Sequence, residues 1–256
     1  MRLFRLTAAT IFRRKAWVVC VFALLAMPFL LPVLSSAAEK PIISQPTRVL
    51  TAWGTLWICG LFWGLFTAAR QGETNARFGL GDYFLTTGIS PTRQLFEMWL
   101  AVFIYLVPFA LIAAGICLVT ATPADPGERS MWWATNGQYL VLFLLVVAPL
   151  LALAIAIASR FGAVAGFSFT LALSLYGLYG VGYLENMLSQ EKNPLVHGLW
   201  LASPHYHLAE ELTQRLSYKL GALPAQRFLA LIAYFSAVLL VTAGFARLCF
   251  RGKSLA

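Results

Sequence analysis

Charge is what this sequence has least of. Lys and Arg number 19 and Asp and Glu 10, together 11% of 256 residues, where a soluble globular domain carries about 25%. With 60% hydrophobic residues, water is the wrong solvent for such a chain. The charges also avoid six stretches altogether: 16–38, 49–69, 98–124, 130–159, 161–184 and 228–246. None of these contains a histidine either. Ionisable groups inside a bilayer mark proton relays and ion paths, so their absence argues against a proton-coupled carrier and against an aspartyl or metal-dependent intramembrane protease.

Other absences narrow the chemistry further. Cys20, Cys59, Cys117 and Cys249 lie in or beside apolar stretches with no CxxC spacing, which suggests neither a disulfide framework nor a zinc site. Gly166-Phe167-Ser168-Phe169 lacks the second glycine of a serine nucleophile turn, and no histidine lies in a span to act as its base. Gly252-Lys253-Ser254 resembles the end of a phosphate-binding loop, but Arg247 stands where that loop requires glycine. The chain is expected to be no enzyme: it has no catalytic residue, no metal site and no cofactor of its own, and any ATP would be hydrolysed by a partner. The pair His205 and His207 is expected on a helix, where residues two apart diverge.

What is present is length. Each charge-free stretch holds 19 to 30 residues, and a helix of about 20 residues crosses a hydrocarbon layer about 30 Å thick. Six spans are expected, at about 17–37, 49–69, 97–119, 138–158, 163–183 and 228–248, with a tight hairpin at Ser159-Arg160-Phe161-Gly162. The first stretch also has the ingredients of a cleaved leader, but its apolar run and basic lead are both longer than such signals use. It is expected to be a retained helix.

Orientation follows from the basic residues. With the N-terminus inside, the inner segments hold twelve Lys or Arg and the outer segments seven, as the positive-inside bias requires. The net charge of +9 then falls wholly on the inner side and needs no nucleic acid. The expected fold is an all-α membrane protein forming a single transmembrane domain over 1–256, with both termini cytoplasmic. Residues 1–15 form an interfacial helix with Phe4, Ala8, Ile11 and Phe12 on its apolar face. Residues 121–137 form an outer loop broken by Pro123, Pro126 and Gly127, with Trp132 and Trp133 in the headgroup belt. The outer segment 185–227 is expected to contain a short external helix capped at Ser203-Pro204 and carrying Leu208, Leu212 and Leu216.

Finer features carry two readings each. Gly60 with Gly64, and Gly162 with Gly166, let helix backbones approach closely. Pro108 and Pro149 sit mid-span, where proline kinks a helix. Tyr176, Tyr179 and Tyr183 recur along the fifth span among Gly177, Gly180 and Gly182. That stripe serves either packing and an aromatic belt or a substrate path.

Several residues together resemble a known family, the type-2 ATP-binding-cassette export permeases. Glu73, Gly79, Leu80, Phe84-Leu85 and Thr87-Gly88-Ile89-Ser90 are similar to the pattern that follows the family's second span. Gly88 departs from it where proline is usual, and Glu97 stands near where a lysine often occurs. Ala158-Ser159-Arg160 resembles the family's inner turn between the fourth and fifth spans, and Ala202-Ser203-Pro204 its motif after the fifth. The resemblance implies that segment 70–93 holds a coupling helix seated on a cytoplasmic ATPase, with Glu73, Gly79, Tyr83, Phe84 and Arg160 at the contact. It also implies a second copy or a homologous permease as partner, ATP and Mg in the ATPase, and a bacterial inner membrane. A reading of a different class is a non-transporting scaffold whose outer segment binds an extracytoplasmic protein.

Overall fold

The computed structural model describes residues 2–34, 41–190, 193–209, 215 and 220–252. All regular structure among them is helical. The longer α-helices follow in order: α1 Arg2–Arg14, α2 Ala16–Leu34, α3 Pro41–Ile58, α4 Leu65–Arg77, α5 Leu80–Thr86, α6 Pro91–Thr120, α7 Pro126–Phe161, α8 Ala163–Leu175, α9 Val181–Gln190, α10 Pro194–Ala202 and α11 Ala225–Cys249. Two wide π-helical turns, Cys59–Gly64 and Tyr176–Gly180, join α3 to α4 and α8 to α9 without a break. Six of the resulting rods are long and apolar enough to cross a membrane, the composition of an integral, multi-pass membrane protein.

The caps explain where the rods begin. Ser90, Asp125 and Asn193 each accept a backbone N–H of the following first turn, and each is followed by proline at the first helical position. Proline has no N–H to lose there. Pro126 and Gly127 therefore start α7 instead of breaking an outer loop, and α7 extends well beyond the span expected at 138–158. As a result Trp132 is buried while Trp133 is exposed.

The fourth rod is the hub. Seventy-two per cent of its most apolar window is buried, against 11% for the last rod. Its alanines make this possible, because Ala148, Ala152, Ala154, Ala156 and Ala158 present little side chain and let neighbours approach. The closest approach is α4, whose Ala68, Gly72 and Ala76 repeat every four residues. A Cβ on Gly72 would lie 2.2 Å from the Ile155 carbonyl oxygen. Gly60 faces Phe143, and Gly64 faces Leu106 and Leu151. Gly166 faces Ala154 and Ala158 across the hairpin, so all of these small residues serve packing within the chain. That hairpin turns on one residue, Gly162, at φ 92°, in a region that favours glycine.

Toward one end of the bundle, polar aromatics tie α3 to α7. Trp53 Nε1 donates to Asn136 Oδ1 (3.2 Å) and Trp57 Nε1 to the Tyr139 hydroxyl (2.9 Å). At the opposite end, α1 breaks at Lys15 (φ 54°) before α2 begins. The buried face of α1 is Leu3, Thr7 and Ile11; Phe12, expected on that face, is 59% exposed. The helix is rotated by its partners on α6: the Tyr105 hydroxyl donates to the Ala8 carbonyl (3.1 Å), and Glu97 accepts from the Phe4 N–H (3.0 Å).

The external helix differs from expectation. Ser203 is the C-cap of α10, not the N-cap of the next helix, and its hydroxyl bonds Leu199 O and the Tyr176 hydroxyl. Helical backbone resumes at His207, while Leu212 and Leu216 lie outside the described residues. Because 203–206 are not helical, the His205 and His207 rings do not diverge; their centroids are 5.5 Å apart.

Candidate functional site

The segment expected to couple folds as a hook. Helix α4 carries the second rod past its apolar part and ends at Phe78; Gly79 (φ 67°) then turns the chain into the two-turn helix α5. Behind the hook stands a fully buried amide, Gln94. Its Nε2 donates to the carbonyls of Gly81 and Ile89 (3.1 Å each), and its Oε1 accepts from Asn75 Nδ2 (3.0 Å). One side chain thus pins α4, α5 and the loop before α6. Buried amides at such a junction are costly unless satisfied, which makes Gln94 the residue that fixes the shape of this end. Nothing in the spacing of the sequence singled it out.

The expected site residues divide on this hook. Tyr83 is 59% exposed and Phe78 75%, so two rings project outward, whereas Phe84 is 4% exposed and packs into the core. Glu73 pairs with Arg77 (2.8 Å), and both contact the hairpin between α7 and α8: a Cβ on Gly162 would lie 3.4 Å from Glu73 Oε1 and from Arg77 Nη2. Arg160 turns the other way. Its guanidinium donates to the Cys249 carbonyl and, at 3.3 Å, to the Leu248 carbonyl. A cation bonded to the last free carbonyls of a helix complements the dipole there.

The end of α11 completes the face. Arg251 N donates to Ser159 Oγ (3.0 Å). Gly252 lies so close to Gly81 that a Cβ on the latter would meet the Gly252 carbonyl oxygen at 2.3 Å. Gly79, Tyr83, Arg160 and the chain's last described residues are therefore parts of one face. On its flank, burial and then the charge of Arg70 hold the Arg14 guanidinium below its ordinary value.

The tyrosine stripe also divides. A cavity of about 340 Å3 opens between the second and fifth rods, lined by Trp57, Leu61, Phe62, Tyr139, Leu178 and Tyr179 among others. Its volume falls in the range of small-molecule clefts. Both π-helical turns border it: Leu61 and Phe62 belong to one, Leu178 and Tyr179 to the other. Such turns widen a helix locally and occur frequently at functional sites. Tyr179 lines this cavity. Tyr176 instead folds back over Gly180, where a Cβ would meet its ring at 2.6 Å, and bonds the Ser203 hydroxyl (2.7 Å). Tyr183 is 66% exposed and lines no part of the cavity.

Away from both places, His207 Nε2 lies 3.8 Å from Glu185 Oε2, and burial followed by the charge of His207 pushes His205 below its ordinary pKa. Among the described residues, no three of His, Cys, Asp and Glu gather as a metal site would need. Compared with family models, curated proteins and solved structures, the chain matches none.

Proposed function

We propose that the chain is the transmembrane permease subunit of an ATP-binding-cassette exporter, seated in the bacterial inner membrane with both termini cytoplasmic. It moves its substrate with ATP that a separate ATPase subunit hydrolyses, and it carries no hydrolytic step of its own. ATP and Mg belong to that partner. One observation supports the reading above the others: the helical rod Thr47–Arg77 runs unbroken from the wide turn that borders the cavity to the base of the hook. A push on Tyr83 and Phe78 reaches the cavity wall through a stiff element seated on α7. Such an element couples two distant places when both bias its position.

The basic residues at the hook end support a cytoplasmic position for it, in line with the positive-inside bias. The exposed ring of Phe62 lines the cavity, and a second copy or a homologous permease closes it to form a shared path. Tyr179, with Trp57 and Tyr139, supplies amphipathic rings to that path.

Copurification with a coexpressed cassette ATPase tests the reading. Phe78→Ala with Tyr83→Ala removes exposed rings alone, so the ATPase is expected to be lost while the permease keeps its melting temperature. Retention of the ATPase by that double variant rejects the coupling face. Glu73 and Phe84 are poorer probes, because the ion pair with Arg77 and the buried ring serve the fold itself.

A further inference from the structure

A second concavity, independent of the permease reading, lies beside the last rod, the least buried of the six. It is a furrow of about 400 Å3 between the start of α6 and residues 239–247 near the end of α11, lined by Leu95, Phe96, Trp99, Ala243 and Gly244, with Arg247 at its mouth. Small residues cut it: nothing stands within 4 Å of a Cβ built on Gly244, while the neighbours Leu240, Val241 and Leu248 project outward. Its wall is rigid, because Trp99 Nε1 donates to the Ala148 carbonyl (2.8 Å) and its ring stacks on Phe103 at 5.1 Å.

Three properties define the occupant. The furrow is apolar along its length and charged only at one end, where the Arg247 guanidinium has no ion pair among the described residues; the neighbouring Arg93 is neutralised by Glu97. On α11 it runs from Leu239 to Arg247, about 12 Å at the helical rise, which is less than half of a hydrocarbon layer of about 30 Å. A partner helix would need a longer seam; one leaflet's acyl chain needs no more. The mouth also lies at the hook end, since Gly252, five residues past Arg247, adjoins Pro91 at the start of α6.

We propose that this furrow is a binding site for one anionic glycerophospholipid, with an acyl chain lying against Trp99 and Gly244 and its phosphate held by Arg247. An arginine presents a planar fork of donors that suits a phosphate.

Native mass spectrometry of the purified full chain in a neutral detergent tests it, with phosphatidylglycerol and phosphatidylcholine of identical chains as probes. Wild type is expected to retain phosphatidylglycerol over phosphatidylcholine. Arg247→Gln should lower that preference by about fivefold, the factor that one basic residue near an anionic surface contributes, and Arg247→Lys should keep most of it. Gly244→Leu fills the furrow with Arg247 intact and should abolish retention, and glycerol 3-phosphate, a headgroup without chains, should displace nothing. Equal retention of the two lipids by wild type overturns the proposal, as does undiminished retention by Arg247→Gln. Undiminished retention by Gly244→Leu does the same, because it would leave only surface charge. A photoactivatable phosphatidylglycerol on wild type gives an answer free of any variant: crosslinks should fall on the two walls of the furrow, 92–99 and 239–247, and crosslinks confined elsewhere reject the site.

Discussion

The Glu97 carboxylate, on the third span and only 1% exposed, accepts the backbone N–H of Phe4 at 3.0 Å. That N–H belongs to the first turn of α1, where helix donors have no internal partner and a negative charge is favoured. Arg93 bonds the other carboxylate oxygen at 2.9 Å. This acid is thus the anchor of the N-terminal helix. Glu97→Ala leaves the Phe4 N–H without its acceptor and removes an ion pair whose Arg93 side is 56% exposed, so it is expected to destabilise the fold by about 1–2 kcal/mol. Glu97→Gln keeps an acceptor and should cost less. Thermal unfolding in detergent, with limited proteolysis inside residues 2–14, reads both effects.

Gly72 has no room for a methyl group, because the obstacle is the backbone of α7 at Ile155, which cannot rotate away. Gly72→Ala is expected to force α4 off α7 and to lower stability by about 1–3 kcal/mol. Gly115, with nothing within 4 Å of its Cβ, is the matched control; alanine there should be neutral or stabilising by up to about 1 kcal/mol. Equal melting temperatures for the two variants would contradict the packing described.

Tyr176 and Tyr179, three residues apart, should separate folding from transport. Tyr176→Phe loses the bond to Ser203 and should cost about 1 kcal/mol of stability with little change in transport per folded molecule. Tyr179→Ala opens the cavity wall and should lower transport while protein level holds. Transport assays normalised to folded protein decide between them; the opposite pattern would move the path to the Ser203 side.

The His205 environment gives a pH dependence of known sign. Its pKa in the fold lies below the ordinary 6.5, chiefly through burial and next through His207, although a hydrogen bond with the Trp200 backbone and then the charge of Glu185 pull the other way. The unfolded chain then binds the proton more tightly, so stability is full above about pH 6.5 and falls as the pH drops through that value toward the lower folded pKa. Melting temperatures at pH 7.5 and 5.5 should differ for wild type and differ less for His205→Gln.

Six apolar spans and a tight hairpin within 159–162 could be read directly from the sequence, because a bilayer imposes a length and forbids charge, and both constraints act on the chain locally; that the hairpin turns on Gly162 alone could not. The helical extensions at 126–137 and 70–77 could not. Proline-glycine reads as a breaker until a capping aspartate is seen in front of it, and a polar helix end has no hydropathy signal. The seam of Ala68, Gly72 and Ala76 stayed hidden because small residues mark contact only once the facing helix is known. Tyr176 and Tyr179 share a helical face in sequence, and the wide turn between Tyr176 and Gly180 sends one inward to Ser203 and leaves the other on the cavity. Gln94 gave no sign at all, since its three partners lie on a neighbouring helix, a loop and the hook.

The wide turn at Cys59–Gly64 sets the rotational phase of everything below it. A turn that accommodates one extra residue offsets the following helix by roughly 100°, the step of a regular helix with 3.6 residues per turn. Were a single residue deleted there, 65–77 would swing round its own axis by that angle. Gly72 would leave Ile155, a longer side chain would take its place, and Glu73 would lose its seat beside Gly162. The phase of the whole lower half of the second rod therefore depends on the six residues Cys59–Gly64.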